Sequence, residues 1–193
     1  MQSIQTVSEN TIYVGASDRR LAKFENLFPI PRGVSYNAYV ILDEKTALLD
    51  TADASVGAQI LENVAAALDG RKLDYLIVDH MEPDHAAMIE AVLVRWPDLR
   101  LVVNAKTLPM LKMYFPTDSA AIDDALVVKE GDTLDLGKHK LTFVMAPMVH
   151  WPEVMMTFDT TTGTLFSADA FGTFGALEGA LFADEVDFAG KWL

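Results

Sequence analysis

Tyr75-Leu76-Ile77-Val78-Asp79-His80-Met81-Glu82-Pro83-Asp84-His85 is the stretch that decides how this chain is read. Its first four residues are an apolar run of the length and composition of a buried strand. Immediately beyond it, four of the six side chains from His80 to His85 can ligate a metal, so the ligands gather where a strand gives way to a loop. Left unpaired, such a cluster costs stability; a pair of cations accounts for it. Residues 80, 82 and 84 alternate, so His80, Glu82 and Asp84 cannot all point the same way along an extended segment. A tight loop through Pro83 folds them into two lobes, which fits two ions better than one.

Outward from this stretch, the pattern predicts strands at 11–15, 36–42 and 46–50, with the polar turn Asp43-Glu44-Lys45 between the last two, an opening β-meander. Val56, Ile60, Leu61, Val64 and Leu68 recur at helical spacing, and Asp69-Gly70 marks the stop. After the strand at 75–78, one helix is predicted from about 84 to 95, a strand at 101–104 and a second helix over 107–114, broken at Phe115-Pro116. Segments 125–129, 140–146, 154–158 and 164–167 read as strands. Strands, then strand–helix alternation, then strands again predict an α/β (α+β) fold of two sheets sandwiched between helices rather than one doubly wound sheet. Residues 172–193 are glycine-rich and acidic with no core period.

Two further ligand types lie just past strand ends: His150 after the strand ending at 146, and Asp169 after the strand ending at 167. Loops on one rim of a sandwich can bring them to the first cluster. Alone, His150 beside Trp151-Pro152 reads as a core histidine, Asp169 as a turn residue and Asp84 as a helix N-cap; their shared placement at strand ends is what gives them weight. His139, between two lysines, reads as solvated, Asp184, Glu185 and Asp187 as polar surface, and Met145, Met148, Met155 and Met156 as core filler. The chain has no cysteine, which excludes disulfides, iron–sulfur clusters and thiolate zinc sites. Three carboxylates with three imidazoles form a hard donor set suited to iron or manganese as well as zinc. Asp169, alone at its strand end, is the choice for a bridge between two ions.

At 193 residues, 51% of them apolar, the chain is sized for one domain. A formal charge of −13 argues against nucleic-acid binding, which needs lysine and arginine stripes. No apolar run reaches bilayer length and the first residues carry no secretory pattern, so the expectation is a cytoplasmic protein with no membrane contact.

The order His80-x-Glu82-x-Asp84-His85, then His150, then Ser167-Ala168-Asp169-Ala170-Phe171-Gly172 resembles the metallo-β-lactamase-like domain of the flavodiiron proteins, or A-type flavoproteins. Tyr36-Asn37-Ala38-Tyr39, Leu49-Asp50-Thr51, His150-Trp151-Pro152 and the run from Asp169 to Leu177 support the likeness, which covers nearly all of 1–193. Glu82 is its most specific element, since hydrolytic relatives of the fold usually have histidine there. The resemblance implies a metallo-β-lactamase-like αββα sandwich in which His80, Glu82 and His150 hold one iron, Asp84 and His85 the other, and Asp169 bridges. It implies reduction of dioxygen to water, or of nitric oxide to nitrous oxide, with electrons from FMN. It also implies a redox partner such as rubredoxin or a flavin reductase and a head-to-tail homodimer.

Two departures accompany it. The family's sixth protein ligand is a histidine roughly sixty residues beyond the bridging aspartate, and 1–193 does not reach it. The flavodoxin-like domain that follows in the family has no counterpart here either, so residues 1–193 are expected to be an incomplete di-metal domain from a longer polypeptide. The competing functions are a di-zinc hydrolase of the same fold, disfavoured by Glu82, and a non-enzymatic di-iron module that binds or senses oxygen.

Overall fold

A computed structural model describes residues 3–115 and 120–187. The chain begins with β1 (Gln5–Ser8) and β2 (Thr11–Tyr13). Next, β3 (Ala16–Asp18), β4 (Lys23–Phe24), β5 (Phe28–Pro29) and β6 (Val34–Tyr36) nest as two antiparallel ribbons, β4 on β5 inside β3 on β6. Then follow β7 (Tyr39–Leu42), β8 (Thr46–Leu49), helix α1 (Gly57–Leu68) and β9 (Tyr75–Ile77). Helices α2 (Pro83–Ala86) and α3 (Ile89–Arg95) lead to β10 (Arg100–Asn104), helices α4 (Thr107–Tyr114) and α5 (Ala120–Asp123), and β11 (Leu126–Val128). A last antiparallel unit comprises β12 (Thr133–Asp135), β13 (Lys140–Met145), β14 (Met155–Asp159) and β15 (Thr164–Phe166).

Seven strands form one sheet in the order β1-β2-β7-β8-β9-β10-β11, and β12 to β15 form a second. The predicted meander is there as β2-β7-β8, with β1, which the pattern did not predict, added at its edge, and β8 to β11 are parallel, as strand–helix alternation requires. The central strands are apolar on both faces because both are covered: Leu48 and Leu76 pack in the cluster that faces the helices, Leu49 and Ile77 in the cluster between the sheets. All the buried apolar residues of the helices belong to the first cluster, whereas the second is built from strand residues such as Phe143, Met155 and Phe166. The layers among the described residues are therefore helix, sheet, sheet; on the outer side of the small sheet Val144 and Leu165 remain exposed. No helix among the described residues is long and apolar enough to cross a membrane.

The single helix expected from 84 to 95 is two. The carbonyl of His85, which would accept from residue 89 in a continuous helix, accepts instead from the backbone N–H and hydroxyl of Thr51. The strand expected over 36–42 is divided between sheets, β6 pairing with β3 and β7 with β2. His139 is not solvated: it is fully buried and its Nδ1 donates to the equally buried Asp159 Oδ2 at 2.8 Å. Strand alternation explains this, since His139 shares parity with the inward Leu141 and Phe143 while Lys138 and Lys140 point out. Of the four methionines taken as filler, Met155 and Met156 are buried but Met148 is 69% exposed. Asp184, Glu185 and Asp187 are exposed as expected, and residues 188–193 lie outside the described residues.

Candidate metal centre

The six singled-out side chains meet on one rim of the sandwich. The parallel strand β9 ends just before His80, and Pro83, at the first position of α2, turns the chain so that Glu82 precedes the helix while Asp84 and His85 ride on it. Asp84 is not the helix cap; Glu82 occupies that position, and its side chain makes no capping bond. His150 comes from the loop between β13 and β14, and Asp169 from the loop after β15, where Ala168 takes a positive φ of 50°. The N–H of Met155, the first residue of β14, donates to the Asp79 carbonyl and fastens the two sheets together at this rim.

Two groups of donor atoms form. In the first, Glu82 Oε2 lies 3.0 Å from His80 Nε2 and 2.7 Å from His150 Nε2. Asp169 Oδ2 lies 3.3 Å from His80 Nε2 and 3.2 Å from His150 Nε2. In the second, His85 Nε2 lies 2.8 Å from Asp169 Oδ1 and 3.7 Å from Asp84 Oδ2. Asp169 thus presents one oxygen to each group. Donors about 2.1 Å from a common ion are separated by roughly 3 Å at right angles, which is the spacing of the first group. Asp84 Oδ1 is buried with no hydrogen-bond partner among the described residues, a costly condition that a cation relieves. The residues present fit a pair of hard cations.

Without such ions the cluster is held by protons. Burial opposes charge on His80, yet its bonds to Asp169, Glu153 and Glu82 raise its pKa to about 11. His85 is likewise carried well above its ordinary value, against burial, by Asp169 and Asp50. Burial raises the Asp84 carboxyl to about 6. Burial also works to raise Glu82 and Asp169, but the imidazoles around them hold both below the usual carboxylate range.

Two buried carboxylates escaped the sequence reading as site residues. Glu153 Oε1 accepts from His80 Nδ1 at 2.7 Å and from the N–H of Met81 at 3.0 Å. Asp50 Oδ2 accepts from His85 Nδ1 at 2.9 Å and its Oδ1 from the N–H of Asp79 at 2.7 Å. Asp50 had the same sequence signal as the ligands, a carboxylate just past a buried strand; Glu153 had only its nearness to His150. The donor groups open into a cleft of about 420 Å³ whose walls include Phe24, Phe28, Tyr36 and Phe174.

Fold and donor groups together define a sandwich of the β-lactamase type with two groups of side chains on one rim, each able to hold a metal ion. Residues 34–191 match the family described as ODP family beta lactamase, and the chain belongs to that family. It is 37% identical over 183 residues to the anaerobic nitric oxide reductase flavorubredoxin of Klebsiella pneumoniae, covering 94% of this chain and 37% of that protein. Its structure superposes on the rubredoxin oxygen:oxidoreductase of Desulfovibrio gigas with a TM-score of 0.91 at 30% identity, over 97% of this chain and 46% of that one. The flavodiiron protein of Giardia intestinalis gives a TM-score of 0.89 at 27% identity, over 98% and 45%. The chain spans less than half the length of each, and the likeness to flavodiiron proteins read from its motifs is borne out.

Proposed function

We propose that this chain is the di-iron domain of an oxidoreductase that reduces dioxygen to water, nitric oxide to nitrous oxide, or both. In this reading His80, Glu82 and His150 hold one iron, Asp84 and His85 the other, and Asp169 joins them. The carrying observation is the carboxylate of Asp169 directed with one oxygen at each donor group. Bound there, the pair of irons supplies the redox capacity to reduce a small gaseous acceptor. The protein's own part is to fix the donors in place. His80 and His85 sit on the buried side of the cluster, while His150, with its side chain 56% exposed, faces the cleft through which the acceptor enters. Phe24, Phe28 and Phe174 keep that approach apolar.

The relatives' names support electrons arriving by way of a flavin and rubredoxin. The reading therefore includes a downstream FMN-carrying, flavodoxin-like domain, a histidine beyond residue 193 completing the second iron, and a head-to-tail homodimer. Phe28 on the cleft wall is exposed, as are Leu27 beside it in sequence, Met148 two residues before His150 and Phe171 two after Asp169, and these offer apolar surface on which an electron-donating domain can seat. The cytoplasmic setting expected from the sequence, free of nucleic acid and membrane, belongs to the same proposal.

Glu82, where hydrolytic relatives usually have histidine, separates this reading from a di-zinc hydrolase. The test is metal analysis of full-length protein grown with both metals available, with oxygen and nitric oxide consumption under NADH, a reductase and rubredoxin. Two irons per chain and acceptor-dependent NADH oxidation are expected; two zincs with no iron and no consumption overturn the reading.

A further inference from the structure

Of the three histidines in the cluster, two are held from behind and one is not. His80 and His85 each turn Nε2 toward the donor groups and Nδ1 onto a buried carboxylate, Glu153 for the first and Asp50 for the second. Among the described residues His150 makes ring-nitrogen bonds only through Nε2, to Glu82 and Asp169. Glu153 is 1% exposed, and its Oε2 is buried with no partner among the described residues although Oε1 takes two bonds. A carboxylate serving only to satisfy the backbone would leave a safer residue there; half-satisfied burial is a cost that the imidazole contact offsets. Asp50 follows β8 with a φ of 54°, a conformation aspartate and asparagine tolerate, which swings its carboxylate behind His85.

We propose that Glu153 and Asp50 are positioning residues, one for each ion, that fix the tautomer and ring orientation of His80 and His85; the inference rests on the two-metal reading above. An ionised carboxylate only accepts, so each imidazole must keep its proton on Nδ1 and present the Nε2 lone pair to the ion. Because Glu153 enters from the small sheet and His80 from the large one, the geometry of the first ion is tied to the packing of the two sheets. Asp50 and His85 both stand on the large-sheet side, so this pair does not span the sheets, and the second group meets the small sheet only through Asp169.

The experiment titrates full-length protein with Co²⁺ against a competing chelator and follows visible absorption. Glu153→Gln and Asp50→Asn keep the shape and remove the charge. Each is expected to weaken one of the two Co²⁺ equivalents by about 10- to 100-fold and to shift its absorption bands, leaving the other equivalent as in wild type. Asp159→Ala, which strands the buried His139 and is bonded to neither His80 nor His85, serves as the packing control and is expected to lower the melting temperature with both affinities kept. The inference is overturned if the variants fill both sites as wild type does, or if both sites weaken together in step with the control. Wild-type protein that takes up no Co²⁺ overturns the two-metal reading itself. Should Asp50→Asn not fold, Glu153→Gln decides alone.

Discussion

Loading the metals should expel protons in a number the structure fixes. In the metal-free cluster His80 faces a carboxylate through each ring nitrogen, Glu153 at 2.7 Å and Glu82 at 3.0 Å. His85 does the same with Asp50 at 2.9 Å and Asp169 at 2.8 Å. Contacts this short between a ring nitrogen and a carboxylate oxygen need a proton between them, so both rings are imidazolium, in keeping with their raised pKa values. An ion takes the Nε2 lone pair, so filling both sites releases about two protons near pH 7.5 and raises the combined affinity about a hundredfold per pH unit. With the Asp84 carboxyl at about 6, a third proton joins them at pH 5. Titration calorimetry in buffers of different ionisation enthalpy measures the count. Release of fewer than one proton at pH 7.5 would refute the reasoning, because the histidines would then enter the site already neutral.

Other consequences follow from particular residues. Asp169→Asn removes the charge shared by the two donor groups; metal analysis should find fewer than two ions per chain, with acceptor reduction falling by at least about a hundredfold. Asp159→Ala strands the buried His139 and removes one of two acceptors for the Thr162 hydroxyl; denaturant unfolding should show a loss of about 1–3 kcal/mol with metal content unchanged. Metal-free protein should lose stability as pH climbs above 7. The folded pKa of His80, about 11, lies above its unfolded value near 6.5, so its contribution is complete below 6.5 and is gone once pH has passed 11. A melting temperature that rises between pH 7 and 10 would contradict this.

The sequence by itself determined which chemistry is available and roughly where it sits. The apolar run at 75–78 followed by His80, Glu82, Asp84 and His85 announces a strand-end ligand cluster, because strand and loop differ in local composition and the absence of cysteine leaves only oxygen and imidazole donors. The periodicity of Val56 to Leu68 likewise marks α1 with its stop at Asp69. Only the tertiary structure decided what depends on partners distant in sequence. Thr51 takes the His85 carbonyl and splits a helix that local pattern reads as continuous. Asp159, twenty residues from His139, draws a histidine flanked by lysines into the core. Asp50 and Glu153 approach His85 and His80 from 35 and 73 residues away, and no spacing rule connects such pairs. Local propensity acts over one or two turns of chain, whereas the direction of a ligand's lone pair is set by whatever the packed sheets bring behind it.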